Sequence, residues 1–174
     1  FRSKSRKGRK GVFRTHERYV SLMKYYIYIA AILFVFTISS CGPNIVYEQE
    51  HDLGKSWTYD ESAEFAFKIF DPNQEYDVLL TVVHNPNFSH QNFYSNITTT
   101  FPTGEVFTDP LSIELANKMG SWLSSCNSKE CTLRLLLRDD VKFKDVGEYK
   151  ISFDQDTREA QLEGIQSLKL SLIE

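Results

Sequence analysis

The chain has 174 residues, 41% of them hydrophobic, with 20 Lys/Arg against 23 Asp/Glu and a formal net charge of −3. That near-neutral sum hides two unlike parts: residues 1–22 hold eight Lys/Arg and one acidic residue, whereas residues 41–174 hold 11 Lys/Arg against 22 Asp/Glu, a net charge of −11. A domain that acidic repels phosphate backbones and anionic lipid surfaces, which argues against nucleic-acid binding.

Residues 1–22 read as a basic prefix upstream of the true start, with synthesis beginning at Met23. Residues 23–40 read as a secretory signal: Lys24 supplies the positive flank, and Tyr25–Ile38 is an apolar run of 14 residues. A bilayer-spanning helix needs about 20, whereas a shorter run before small residues fits a signal. Ile38-Ser39-Ser40-Cys41 resembles a bacterial lipobox. It implies cleavage before Cys41 and acylation of that thiol, with palmitate among the chains. Residues 41–55 then read as a lipidated tether, with Ile45, Val46 and Tyr47 leaving room for a short first strand.

Residues 56–174 carry the period of two expected of half-buried strands. Phe65, Phe67 and Ile69 alternate with Ala66 and Lys68 before a turn at 71–74. The segment 76–84, "YDVLLTVVH", is apolar on both faces and suits a central strand. Residues 92–101 and 105–115 follow, joined by "PTG". Pro110 demotes the second to an edge, because proline cannot donate to a ladder. Residues 116–131 form an irregular stretch. Beyond it, Leu133, Leu135 and Leu137 alternate with Arg134 and Arg138. The segment 147–153 repeats the pattern, 154–164 reads as a polar connection, and 165–174 closes the chain with Leu168, Leu170 and Leu172 on one face. The expectation is all-β: an antiparallel β-sandwich of about seven to eight strands.

Chemistry-bearing residues are sparse. Cys126 and Cys131 suit a disulfide in an oxidising compartment or two free thiols; no second Cys or His pair completes a metal site. His84 and His90 flank one loop at a spacing that is not diagnostic of a metal, and His51 lies in the tether. Asp139 with Asp140, and Asp154 with Asp156, sit at strand ends or in a polar connection, where solvated acids are ordinary. Phosphate cradles, nucleophile elbows and zinc-protease motifs do not occur. No catalytic residue, metal or cofactor is therefore expected. Trp57 and Trp122 either plug the sandwich or stand exposed to stack on a sugar or anchor a partner.

One longer pattern remains. Trp57 precedes the first strand of the domain, and "YDVLLTVVHNPNFSHQNFYSNITTTFPTGEVFTDPLSIELANKMGSW" contains Asn92, "FPTG" and a Gly-x-Trp element. The closing "FKDVGEYKISFDQDTREAQLEGIQSLKLSLIE" holds Gly147-Glu148-Tyr149, Arg158, Leu162 and Gly164-Ile165. In that order, from Cys41 to the end, the chain resembles the GldH gliding-motility lipoproteins of the Bacteroidetes. Thr157 departs from the family, which tends to have Met there, and the Cys126/Cys131 pair is not a feature of the family.

The resemblance implies a non-enzymatic lipoprotein required for gliding, working with envelope proteins of the gliding and secretion machinery. Only Cys41 takes a defined chemical role; Trp57, Trp122 and Arg158 are the candidate interaction residues. Gly42, in place of a retention aspartate, and the lack of an acidic cluster behind Cys41 favour the periplasmic face of the outer membrane. The alternative is a lipoprotein that binds a glycan or other ligand through a row of exposed aromatics.

Overall fold

In the computed structural model, Tyr26 and residues 42–174 are described. Cys41, the lipobox and the basic prefix lie outside the described residues. The chain divides into two units at Gly42, and the second, Pro43–Glu174, holds all the strands. These are β1 (Ile45–Asp52), β2 (Ser56–Thr58), β3 (Ser62–Ile69), β4 (Glu75–His84), β5 (Asn92–Thr100), β6 (Val106–Glu114), β7 (Ser125–Cys126), β8 (Cys131–Lys142), β9 (Gly147–Gln155), β10 (Gln161–Glu163) and β11 (Ile165–Ile173). They form one sheet in the order β1-β11-β4-β8-β7, a second in the order β3-β9-β5-β6, and a ribbon of β2 with β10. Every pairing is antiparallel.

Alternation decides which side of each strand is buried. In β3 the inward set is Ala63, Phe65, Phe67 and Ile69; in β9 it is Tyr149, Ile151 and Phe153. From the other sheet come Tyr76, Val78, Leu80 and Val82 of β4 with Leu168, Leu170 and Leu172 of β11. These residues form one core between the two sheets. A bulge between Ile165 and Ser167 lets Ile165 face the core together with the even-numbered leucines.

Three expectations need correction. Residues 45–52 are no tether: they form a full edge strand on β11, because Tyr47 packs on Phe67 with ring centroids 5.4 Å apart and the ladder follows. The polar connection 154–164 contains β10, held by pairing Leu162 with Trp57. The irregular stretch 116–131 contains β7 and a bridge between Ala116 and Trp122. Pro110 lies within β6, which is an edge of its sheet.

One end of the core is closed by aromatics. Tyr149 stacks on Phe67 at 5.8 Å and 7°, and Phe143 meets its edge at 4.8 Å. Gly147 starts β9 there with φ +143°, and a Cβ on it would fall 2.8 Å from Pro102 Cβ. Gly104 also has positive φ, +86°, but open space around it. Gly147→Ala should therefore cost roughly 3 kcal/mol, combining backbone strain with overpacking, and Gly104→Ala about 1 kcal/mol from strain alone. Equal losses in denaturant unfolding would mean that the Pro102 contact is harmless.

Candidate functional site

The opposite end of the sandwich is built on Trp57. Its ring is fully buried, meets Phe93 edge-on at 6.1 Å, and donates from Nε1 to Glu61 O at 2.8 Å. Trp57 is thus a core plug; as a candidate contact for a partner or a sugar it is corrected, because no part of it reaches the surface. Trp122 is half-buried, with its ring centroid 4.8 Å from that of His84.

Above Trp57, Gln155 ends β9 in the inward position of the alternation and is buried. Its Nε2 lies within hydrogen-bond distance of Glu159 O, Ala160 O and Trp57 O, at 3.0, 3.4 and 3.4 Å. Its Oε1 accepts from Thr157 Oγ1 at 2.6 Å and from Thr157 N at 3.3 Å. Tyr59 Oη donates to Thr157 O at 2.8 Å, and Asp156 N to Tyr94 O at 2.9 Å. One buried amide thus satisfies the backbone of the turn 156–160 and fixes its shape.

That turn presents Arg158 to solvent, without an ion pair among the described residues. Arg158 lines a cleft of about 380 Å³ with His90, Asn92, Tyr94 and Asp156. Tyr94 is 53% exposed, and His90 Nε2 lies 3.2 Å from Glu159 Oε1. The cleft offers a guanidinium, an aromatic face and an amide beside the carboxylates of Asp156 and Glu159, a mixed lining that suits a peptide surface.

His84 and His90 both pack on Phe88, with ring centroids 6.1 and 5.4 Å from it, but bond to different partners. His84 is fully buried at the end of β4, with Nδ1 3.0 Å from Asn85 O and Nε2 2.9 Å from Ser124 Oγ. A carbonyl can only accept, so Nδ1 carries the proton and Nε2 accepts from the serine. His51 pairs instead with Glu61, at 3.8 Å. Cys126 and Cys131 are joined as a disulfide that ties β7 to β8, and Asn127 Oδ1 accepts from Lys129 N and Glu130 N in the turn between them. Gln155 and Tyr94 did not stand out in the sequence. The signal for Gln155 is its parity with Tyr149, Ile151 and Phe153.

A two-sheet antiparallel domain behind a lipobox-like segment defines a class, the bacterial lipoproteins with an all-β domain. Within that class, the chain belongs to the GldH lipoprotein family, whose sequence model matches residues 45–171. It is 28% identical over 144 residues to the protein named gliding motility lipoprotein GldH homolog from Christiangramia forsetii, covering 80% of this chain and 88% of that one. It is 26% identical over 142 residues to gliding motility lipoprotein GldH of Flavobacterium johnsoniae, covering 81% and 86%. Among solved structures, a carbohydrate binding module from a glycoside hydrolase family 9 protein of Ruminococcus flavefaciens aligns with TM-score 0.39 and 14% identity, over 72% of this chain and 97% of that one. That likeness is too slight to carry any argument.

Burial lowers the His84 pKa from 6.5, although the Asn85 carbonyl pulls it up. In the fold the ring is therefore neutral when an unfolded chain would already bind a proton. Stability is fully present above pH 6.5 and falls as the pH drops below it, until the depressed folded value is passed. Urea unfolding between pH 7.5 and 5 should show this slope, and His84→Gln should flatten it; an unchanged slope would reject the assignment.

Proposed function

We propose that this chain is an envelope lipoprotein, anchored through acyl chains on Cys41, that serves gliding motility as a non-enzymatic assembly or stabilising component of the gliding and secretion machinery. The observation that carries this reading is the family match over residues 45–171, which takes in almost all of the sandwich, with relatives named for gliding motility. The match lies on the folded domain rather than on the leader alone, so the shared role belongs to the domain's surface. Several buried acyl chains, at about 0.8 kcal/mol per CH₂, make such an anchor permanent where one chain would be marginal. The residues after Cys41 favour the periplasmic face of the outer membrane.

The turn held by Gln155 is the proposed contact for another envelope protein. The backbone that carries Arg158 is already fixed there, which lowers the ordering cost of binding. A guanidinium presented this way suits a carboxylate side chain of the partner. The glycan reading has lost Trp57 to the core, and Trp122 is half-covered by His84; neither tryptophan among the described residues offers it a fully exposed ring.

A clean deletion should abolish spreading on agar and secretion of surface adhesins, and the wild-type gene should restore both. Cys41→Ala should release the protein from the envelope fraction and fail to complement. Arg158→Glu should unfold at the wild-type temperature, stay in the envelope and still fail to complement. Normal spreading and secretion in the deletion strain would sink the function. Full complementation by Arg158→Glu would sink only the contact.

A further inference from the structure

The five-stranded sheet ends in two open edges, one acidic and one mixed, whose charges are opposite in one row. β1 has β11 as its only neighbour, and β7 pairs only with Cys131 and Thr132, so β8 lacks a second neighbour from Leu133 onward. Such edges leave backbone N–H and C=O groups free to template another strand. On the outer face of the sheet β1 presents Glu48, Glu50 and Asp52, all exposed. β8 presents Arg134 on that face, exposed and without an ion pair among the described residues. Both charges lie in one row: Glu50 is opposite Lys169, Lys169 opposite Thr81, and Thr81 opposite Arg134.

We propose that a second copy of this chain docks its β1 along β8 of the first, so that the sheet continues from one molecule into the next. Direction fits first. The strands β1, β11, β4 and β8 alternate in sense, so a copy displaced sideways without rotation brings β1 antiparallel to β8 with its outer face still outward. Register fits as well. The same displacement keeps the row, setting Glu50 of the second copy beside Arg134, with His51 to Glu48 running along Leu133 to Leu136. Ser167 Oγ already donates to Glu50 at 2.6 Å, but a carboxylate accepts several donors.

Apolar surface lies on the same two sides. Leu136 of β8 and Phe107 of the edge strand β6 are each 56% exposed; across the molecule, Ile45 of β1 is 49% and Phe70, after β3, 80% exposed. The contact is heterologous, joining one side to the other, so it builds rows rather than closed pairs. The Glu50–Arg134 pairing also sets the order of the copies in an otherwise acidic, self-repelling molecule.

The test uses the full-length lipoprotein in its own envelope. One copy carries Glu50→Cys and a differently tagged copy carries Arg134→Cys; mild oxidation should crosslink the mixed pair, and a single chain with both substitutions should give a ladder of multiples. Arg134→Glu should reduce chemical crosslinking about fivefold, the scale of one exposed charge pair, and adding Glu50→Arg should restore it. Restoration also shows that the reversed chains fold. Absence of mixed crosslinks, homotypic crosslinks of equal yield, or crosslinking indifferent to both reversals would overturn the proposal. Normal gliding in a deletion strain would leave it standing, because it does not depend on the proposed function.

Discussion

Two sheets share one layer of large side chains, and the rest of the domain is arranged to keep that layer dry. Leu80 and Val82 from β4, Leu168 and Leu170 from β11, and Phe153 from β9 are fully buried in it. Each such side chain contributes about 1.5–3 kcal/mol relative to exposure, and only while its neighbours keep water out. The two ends of the layer are sealed differently. One is closed by Tyr149, Phe67 and Phe143 ring against ring, the other by Trp57 with Leu162 and Ile165. The sealing of the second end shapes the candidate site, because the Trp57 plug forces the chain over it to fold back tightly.

Gln155 and His84 are buried polar groups beside that plug. Both find partners for their polar atoms, mainly in the backbone or side chains of loops rather than in the strands. A buried amide or imidazole left without partners would cost about 1–3 kcal/mol, so each ties its loop to one conformation. The loops on this end consequently behave as extensions of the core. That is how an exposed arginine comes to stand on a turn whose backbone a buried glutamine fixes.

Much of the fold was legible because strands announce themselves by parity. Phe65, Phe67 and Ile69, and again Tyr149, Ile151 and Phe153, can be assigned inward without seeing their neighbours. What parity cannot show is pairing. β1 reads as polar and acidic because it is an edge strand with few inward side chains, and its stability comes from the ladder on β11. β10 is only three residues long and exists because Leu162 finds Trp57. The site was harder still. Arg158 emerged from resemblance alone, Trp57 could be read as a plug or as an exposed contact, and the importance of Gln155 depends on a loop whose backbone groups converge only after folding.

The early start of β1 bears on where the domain can work. Asn44 O accepts from Glu174 N at 2.9 Å, and Asn44 Nδ2 donates to the Glu174 carboxylate at 2.7 Å, so ordered structure begins three positions after Cys41. With Cys41 acylated as proposed, the slack is Gly42 and Pro43, a leash of about 10 Å at full extension. A lipoprotein on so short a leash cannot sweep widely for partners: the Tyr47 end stays near the headgroups, and the Arg158 turn, beyond the far end of the eight-residue β1, stands roughly 25 Å higher. The domain's acidic charge then begins at the bilayer, with Glu48 and Glu50 on β1, so an anionic leaflet would push the domain upright and a basic neighbour would draw it over.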